Sequence, residues 1–525
     1  MLLNYIIFKK RHVPLEILKT KSSNLYPLFG SLFTGNLLIV LNYFFPLKNK
    51  VVIFILILSF LPNFLKLEKL NINLKFHNIF GYIFVPAILA ISSFNTGWHY
   101  DAGFYHLNQQ NWLRSSEMIL GMVNIHWAFG MSSIAEYISA ILWFEGTFIN
   151  LHYLNLMYIF TFYNILVSDL YSKELIIRNS SLMLVIFSIF DNFGLNGGRN
   201  GFIYIQGVGK QDVGIAILFF FITRTILLIL NDKRFNQFEV SLLSLLTLFT
   251  IQIKLSSVFL VFLMLYFYWF FLKESGNSFK TLLYINIPSI FFGFFWIIKQ
   301  YLTTGCFIYP VNSTCINKFA WYSANSTKAY EEITRNASYS LSLYDYDILQ
   351  WYEEFISFKI NQTLTFNSLI SLLLIYSFSR VFYYRSNLNS QVKIVLFVFL
   401  IGNFIYLVNY GPTPRYLMGF ILTMAYGVGF FSGKSKLGQS KNAVKNILVT
   451  LSIILLVRST SYIAMINQDS FQLFDPRPIA EYSSQENGWL RPDIGDQCWI
   501  NLECTMSTHE IDIINGLFYK TAYRN

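Results

Sequence analysis

The chain has 525 residues, 54% of them hydrophobic and only 13% charged, with a mean hydropathy of +0.46. That much apolar surface exceeds what one soluble core can bury, so a single water-soluble domain is excluded and the bilayer is expected to be the main solvent. The net charge of +11 does not indicate a nucleic-acid partner, because Lys and Arg fall in short clusters beside apolar runs rather than along one polar face.

Residues 1–24 include Lys9, Lys10 and Arg11 behind an apolar stretch too short for a signal peptide. No small-residue cleavage site follows, so this segment is expected to stay attached and cytosolic. Apolar windows able to cross about 30 Å of hydrocarbon occur near residues 25–45, 51–66, 77–93, 150–168, 180–193, 210–230, 238–251, 256–272, 281–298, 364–379, 391–409, 416–432 and 446–463. That pattern predicts about thirteen spans. Lipid offers no partner for backbone N–H and C=O groups, and period-two alternation of the barrel kind is lacking, so the spans should be helices. The expected fold is all-α, a polytopic transmembrane helix bundle.

Orientation follows from Lys and Arg in the short loops. With the N-terminus inside, Lys66, Lys69 and Lys75, then Lys173 and Arg178, Lys233 and Arg234, Lys273 and Lys280, Arg380, Arg385 and Lys393, and Lys434, Lys436, Lys441 and Lys445 all fall on the cytosolic side. The scheme requires that residues 131–146 do not cross, so they are expected to form a juxtamembrane or re-entrant helix. A transmembrane module then covers residues 25–463, with long exoplasmic loops at 94–149 and 299–363, and residues 464–525 form an exoplasmic tail. Loops this long are more often functional than idle.

All four cysteines fall outside in this topology. Cys306 with Cys315 and Cys498 with Cys504 read as two local disulfides in an oxidising compartment; a four-thiolate zinc site is the alternative, although the spacings are wide for it. The densest polar cluster follows the third window: Trp98-His99-Tyr100-Asp101-Ala102-Gly103-Phe104-Tyr105-His106, then Gln109, Trp112, Arg114 and Glu117. An Asp at the interface beside aromatic rings is placed where desolvation could raise its pKa toward that of a general base. The bland alternative is a solvated helix cap at Asp101, with His99 and His106 as belt residues. No further ligand is spaced to complete a metal site with the two histidines. Gly194 to Gly201 form a polar, glycine-rich island, and Lys210, Gln211 and Asp212 follow at the outer start of a helix. There a glycine-rich backbone could meet an anion, and Asp212 could simply cap the helix. Lys254 and Arg415 occupy outer turns, against the cytosolic bias of the other cations, so each calls for a carboxylate or an anionic ligand such as a lipid phosphate, with snorkelling to the outer head groups as the bland alternative. Lys299, at a span end, reads as snorkelling to the head groups.

An acid in the first long loop, a second at the outer start of a later helix, a Lys in an outer turn and the turn Pro414-Arg415-Tyr416 together resemble the GT-C glycosyltransferases, polytopic enzymes that use polyprenyl-phosphate sugars. The D-x-G-x-Y-H motif of Asp101 to His106, Gly305-Cys306-Phe307-Ile308-Tyr309-Pro310 with Cys315, and Asp496-Gln497-Cys498-Trp499 with Cys504 are similar to a narrower group of bacterial multi-pass membrane proteins related to that superfamily. The likeness runs over about residues 77–515. It implies an inverting transferase at the exoplasmic face of a bacterial inner membrane. The donor would be a polyprenyl-phosphate-linked sugar and the acceptor a cell-envelope glycan or glycolipid. By the same likeness Asp101 would be the base, Arg415 and Lys254 would receive the leaving phosphate, and Asp212, His106 and Tyr105 would contact substrate. Ala102 stands where many GT-C members carry a second acid, which leaves a divalent cation in question; no cofactor or metal is expected. A lipid-linked oligosaccharide polymerase or ligase is the alternative enzyme. A transporter or flippase is the alternative of another class, and would need midplane charges or broken helices, whereas the spans read as nearly clean of charge.

Overall fold

The structure is a computed structural model and describes residues 25–64, 79–84, 86–87, 98–143, 148–193, 209–339, 347–357, 373, 375–377, 380, 389–409, 414–431, 446, 449–450, 453, 480–485, 487–505 and 510–524. The segment 1–24 expected to be cytosolic, the island at 194–201, and most of the windows at 77–93, 364–379 and 446–463 lie outside the described residues.

Helices dominate. In chain order they are α1 (Tyr26–Asn42), α2 (Asn49–Phe64), α3 (Leu107–Ser115), α4 (Ile134–Ile141), α5 (Ile149–Leu170), α6 (Leu175–Phe193), α7 (Asp212–Asp232), α8 (Gln237–Ile253), α9 (Phe259–Ser275), α10 (Phe279–Ile285), α11 (Ile287–Thr304), α12 (Ala324–Tyr339), α13 (Ile348–Ser357), α14 (Ser390–Asn409) and α15 (Pro414–Phe431). Their ends follow local chemistry. The Asn236 side chain accepts the Phe238 N–H at the start of α8, and α9 and α11 stop at Gly276 and Gly305, which take the left-handed backbone that ends helices without a Cβ penalty.

Among the described residues two helices are long and apolar enough to cross a bilayer, Asp212–Asp232 and Leu255–Ser275. A third arises if α10 and α11, bent by 62°, are one broken span. The break falls at Asn286-Ile287-Pro288, where proline removes a backbone donor. The other apolar helices are shorter, so thirteen spans are not reached among the described residues. Burial separates two roles. α7 is wholly enclosed, whereas α9 exposes Phe262, Leu265 and Trp269, and α11 exposes Ile290, Phe291 and Phe294, an outward apolar surface suited to lipid. α15 packs closely against α6 and α7, and α14 against α15.

Two features correct the sequence reading. The spans are not clean of charge: Arg224 in α7 is fully buried, its Nε donating to Asp169 Oδ2 of α5 (2.7 Å), with the Tyr426 hydroxyl donating to the same carboxylate (3.3 Å). Nor is the fold entirely helical. The tail forms two antiparallel hairpins, β1 (Tyr482–Ser484) with β2 (Leu490–Pro492), and β3 (Ile511–Asn515) with β4 (Lys520–Arg524). Strands of three to five residues carry too few alternations to register beside long apolar windows.

The segments expected outside converge on one cap. The first loop supplies a π-helical turn (Ala102–His106), α3, two short 3-10 turns and α4. The second loop reaches it through Tyr309, whose hydroxyl donates to Trp127 O (2.9 Å). The tail closes over both. Trp499 N donates to Gly103 O (2.9 Å), Asn111 Nδ2 to Ile500 O (2.7 Å), and Ala522 N to Leu120 O (2.9 Å). Both cysteine pairs are bonded, Cys306–Cys315 at 2.05 Å and Cys498–Cys504 at 2.08 Å.

Candidate functional site

The site is assembled at the junction of the cap with the first turn of α7. Asp101 precedes the π-helical turn, but its side chain makes no cap hydrogen bond. It accepts instead from Lys210 Nζ (2.6 Å), with His99 Nδ1 3.5 Å away. Burial pushes this carboxyl up, yet the Lys210 ammonium and the nearby histidines outweigh it and hold the group below the ordinary carboxylate range. The possible rise in pKa is thereby corrected: the Asp101 carboxyl is held as carboxylate, neutralised by a cation that the sequence reading noted only as part of a polar island.

Two residues on, the second acid repeats the arrangement. Asp212 is the first residue of α7 rather than its cap, Gln211 holding the cap position, and Lys254 Nζ donates to Asp212 Oδ1 (2.6 Å). The Lys254 ammonium also lies 4.8 Å from the centre of the Tyr416 ring. Of the two counter-charges expected for Lys254, the structure supplies the protein carboxylate. Arg415 lies in the first turn of α15, next to Tyr416; its side chain is outside the described residues.

Between the two pairs lies a carboxylate that sequence reading missed. Glu136 sits in α4 and is 1% exposed. Its Oε1 faces His106 Nδ1 (2.5 Å) and accepts from Gln211 Nε2 (2.8 Å), while Oε2 accepts from Gln110 Nε2 (2.7 Å). Facing a carboxyl oxygen, Nδ1 of His106 is the nitrogen placed to donate to it. A signal was present in Ser133-Ile134-Ala135-Glu136, the spacing of a capping box. Ser133 does cap α4, its Oγ accepting the Ala135 N–H (3.3 Å), and it also donates to Gln211 Oε1 (3.0 Å) and Ile253 O (2.8 Å). At eight residues α4 is about 12 Å long and too short to cross a bilayer, consistent with residues 131–146 not crossing.

His106, Gln110, Glu136, Lys210, Gln211 and Asn155 line an open cleft of about 490 Å³ together with the apolar Leu151, Leu154, Tyr158 and Ile253. A second cleft of about 320 Å³ lies beyond Asp212, bordered by Ser256, Ser257, Tyr416 and Phe420. Asp212 thus borders the second cleft, while its chain neighbours Lys210 and Gln211 border the first. Tyr105 is half-buried beside Asp101 and Glu136, and desolvation with those acids raises its phenol well above the usual range, so it stays protonated. Lys299 does not snorkel: it is 3% exposed, hydrogen-bonded through Nζ to Ser132 Oγ and 4.0 Å from the centre of the Tyr137 ring. Among the described residues no three His, Cys, Asp or Glu side chains converge as a metal site would need.

The structure thus brings Asp101, Tyr105, His106, Asp212 and Lys254 to one locality and adds Lys210, Gln211 and Glu136. The four cysteines brace the surrounding cap. No curated protein and no solved structure matches the chain. The family model that does match, described as Domain of unknown function (DUF8201), covers residues 7–422, and the chain belongs to that family.

Proposed function

We propose that the chain is a membrane glycosyltransferase that moves a sugar from a polyprenyl-phosphate donor to a cell-envelope glycan or glycolipid at the exoplasmic face. The observation that carries the reading is the pair of carboxylate–ammonium contacts, Asp101–Lys210 and Asp212–Lys254, held two residues apart at the start of the enclosed apolar helix α7. A lipid phosphate would arrive where ammonium groups and the positive end of a helix dipole meet apolar walls. Its negative charge competes with Asp101 for Lys210, and a carboxylate released from that ammonium is a stronger base. Asp101 then takes the proton of the acceptor hydroxyl as its oxygen bonds to the anomeric carbon. The bond to the phosphate breaks on the opposite face, with inversion, and the phosphate departs with the electron pair toward Lys254 and Arg415. Asp212 holds Lys254 in place, and His106 and Tyr105 orient the sugar by hydrogen bonds.

The test is Asp101→Asn in proteoliposomes supplied with polyprenyl-phosphate sugars and an envelope glycolipid acceptor. Loss of a general base should lower transfer about 10²- to 10⁴-fold, with the variant inserted at wild-type levels. Unchanged transfer by an abundant, inserted variant would remove Asp101 from the reaction.

A further inference from the structure

The C-terminal hairpin carries an apolar tip that the rest of the molecule leaves uncovered. β3 and β4 are joined through Gly516, and the joining residues Leu517 and Phe518 are 92% and 80% exposed. Large neighbouring apolar side chains held this far from their own protein mark a surface that meets something else. What they meet follows from where the hairpin is fastened. Leu120 N donates to Lys520 O and Ala522 N to Leu120 O, both at 2.9 Å. On one side of Leu120, Met118 N donates to Asn42 O at the end of α1 (2.9 Å); on the other, Gly121 N donates to Leu302 O near the end of α11 (3.2 Å). The hairpin is therefore laid across the ends of two apolar helices.

Next to the tip, Tyr519 packs against the main core cluster, within electrostatic reach of Tyr43. The Tyr43 hydroxyl in turn donates to Phe295 O of α11 (2.6 Å). At this end of α1, Phe44 and Phe45 are 64% and 55% exposed, and the exposed Lys48 and Lys50 follow them. Lys520 stands in the same relation to Phe518. Apolar side chains followed within a few residues by ammonium groups match a leaflet in depth, with rings among the acyl chains and Lys at the phosphates.

We propose that Leu517 and Phe518, together with Phe44 and Phe45, insert into the lipid leaflet at their end of the bundle and fasten the cap to it. The occupant is the bilayer itself, because the tip and the exposed Phe44 and Phe45 lie at the ends of apolar helices and the lysines that follow them complement lipid phosphates. The other highly exposed apolar residue of the tail differs in kind. Ile494 is 89% exposed between Asp493 and Asp496, and Asp496 accepts a hydrogen bond from Tyr100 at the candidate site, so this residue belongs in water. The proposal does not depend on the glycosyltransferase reading.

All four native cysteines are in disulfides, so Phe518→Cys, Leu517→Cys and Ile494→Cys each accept one nitroxide label. The full-length chain would be placed in nanodiscs of phosphatidylcholine and phosphatidylglycerol, and label collisions measured with oxygen, which concentrates in lipid, and with Ni(II)EDDA, which stays in water. Labels at 517 and 518 should favour oxygen and the label at 494 should favour Ni(II)EDDA. Since all three sites are exposed, the substitutions leave packing intact, and retention of both disulfides on a non-reducing gel verifies the fold. Preference for Ni(II)EDDA at 517 and 518 would overturn the proposal. So would protection from both reagents, which would mean that protein rather than lipid covers the tip.

Discussion

Asp101 shows how a charge pair sets the range over which a carboxyl stays ionised. Its carboxyl is held low because Lys210, 2.6 Å away, favours the charged form more than burial opposes it. The group is thus ionised throughout the neutral range and loses its charge only as pH falls below the usual carboxylate values. Removing the ammonium while keeping the bulk, Lys210→Met, leaves burial as the dominant influence, so Asp101 should protonate at higher pH. We expect the acid limb of the transfer rate against pH to move upward in this variant; a limb that stays in place would show that Asp101 is not the titrating group. Asp101, Asp212 and Lys254 were legible in the sequence because polar residues beside apolar windows stand out. Lys210 as the partner of Asp101 and Glu136 as the acceptor shared by His106, Gln110 and Gln211 were not. Nothing local distinguishes a solvated Lys from one bent onto a carboxylate, and Glu136 looks like a capping residue until α4 is seen to be buried under three donors.

At the scale of elements, α7 is the axis on which the site depends. Its first turn presents Asp212, and twelve residues on Arg224 is locked to Asp169, with its guanidinium 6.0 Å from the centre of the Tyr426 ring. This clamp ties α7 to α5 and α15. Gly429 lets α15 approach closely, since a Cβ there would fall 2.1 Å from Ser180 Cα of α6. Breaking a buried pair by removing one partner leaves a charge without compensation, at a cost of about 3–5 kcal/mol. Arg224→Met should therefore lower the thermal midpoint of the detergent-solubilised protein markedly, and adding Asp169→Leu should restore part of the loss. Equal destabilisation by the single and double variants would show that packing, not charge, dominates the clamp. Apolar windows revealed the helices because hydropathy is additive along the chain. They hid Arg224, which one charge in a long apolar run barely perturbs, and they could not separate enclosed α7 from lipid-facing α9, since both are uniformly apolar.

Over the whole molecule, the two long loops and the tail join in one cap, and the Cys498–Cys504 disulfide is its keystone. Within the loop it closes, Trp499 (φ 48°) and Glu503 (φ 55°) both take the left-handed backbone, which costs roughly 1–2 kcal/mol per residue. Cross-linking a loop this short offsets about 2 kcal/mol of chain entropy. The bond and the strained loop are therefore of similar size, and the bond decides whether the loop persists. The loop holds Trp499 against Gly103, where a Cβ would stand 2.6 Å from the indole, and in the buried cluster with Ala102 and Leu107. Cys498→Ser combined with Cys504→Ser should release Trp499 and loosen the turn that carries Asp101. Hydrogen exchange should then rise across residues 101–112 while α7 stays protected, and transfer should fall without loss of inserted protein. Unaltered exchange over residues 101–112 would mean that the first loop holds its own shape and the tail only covers it.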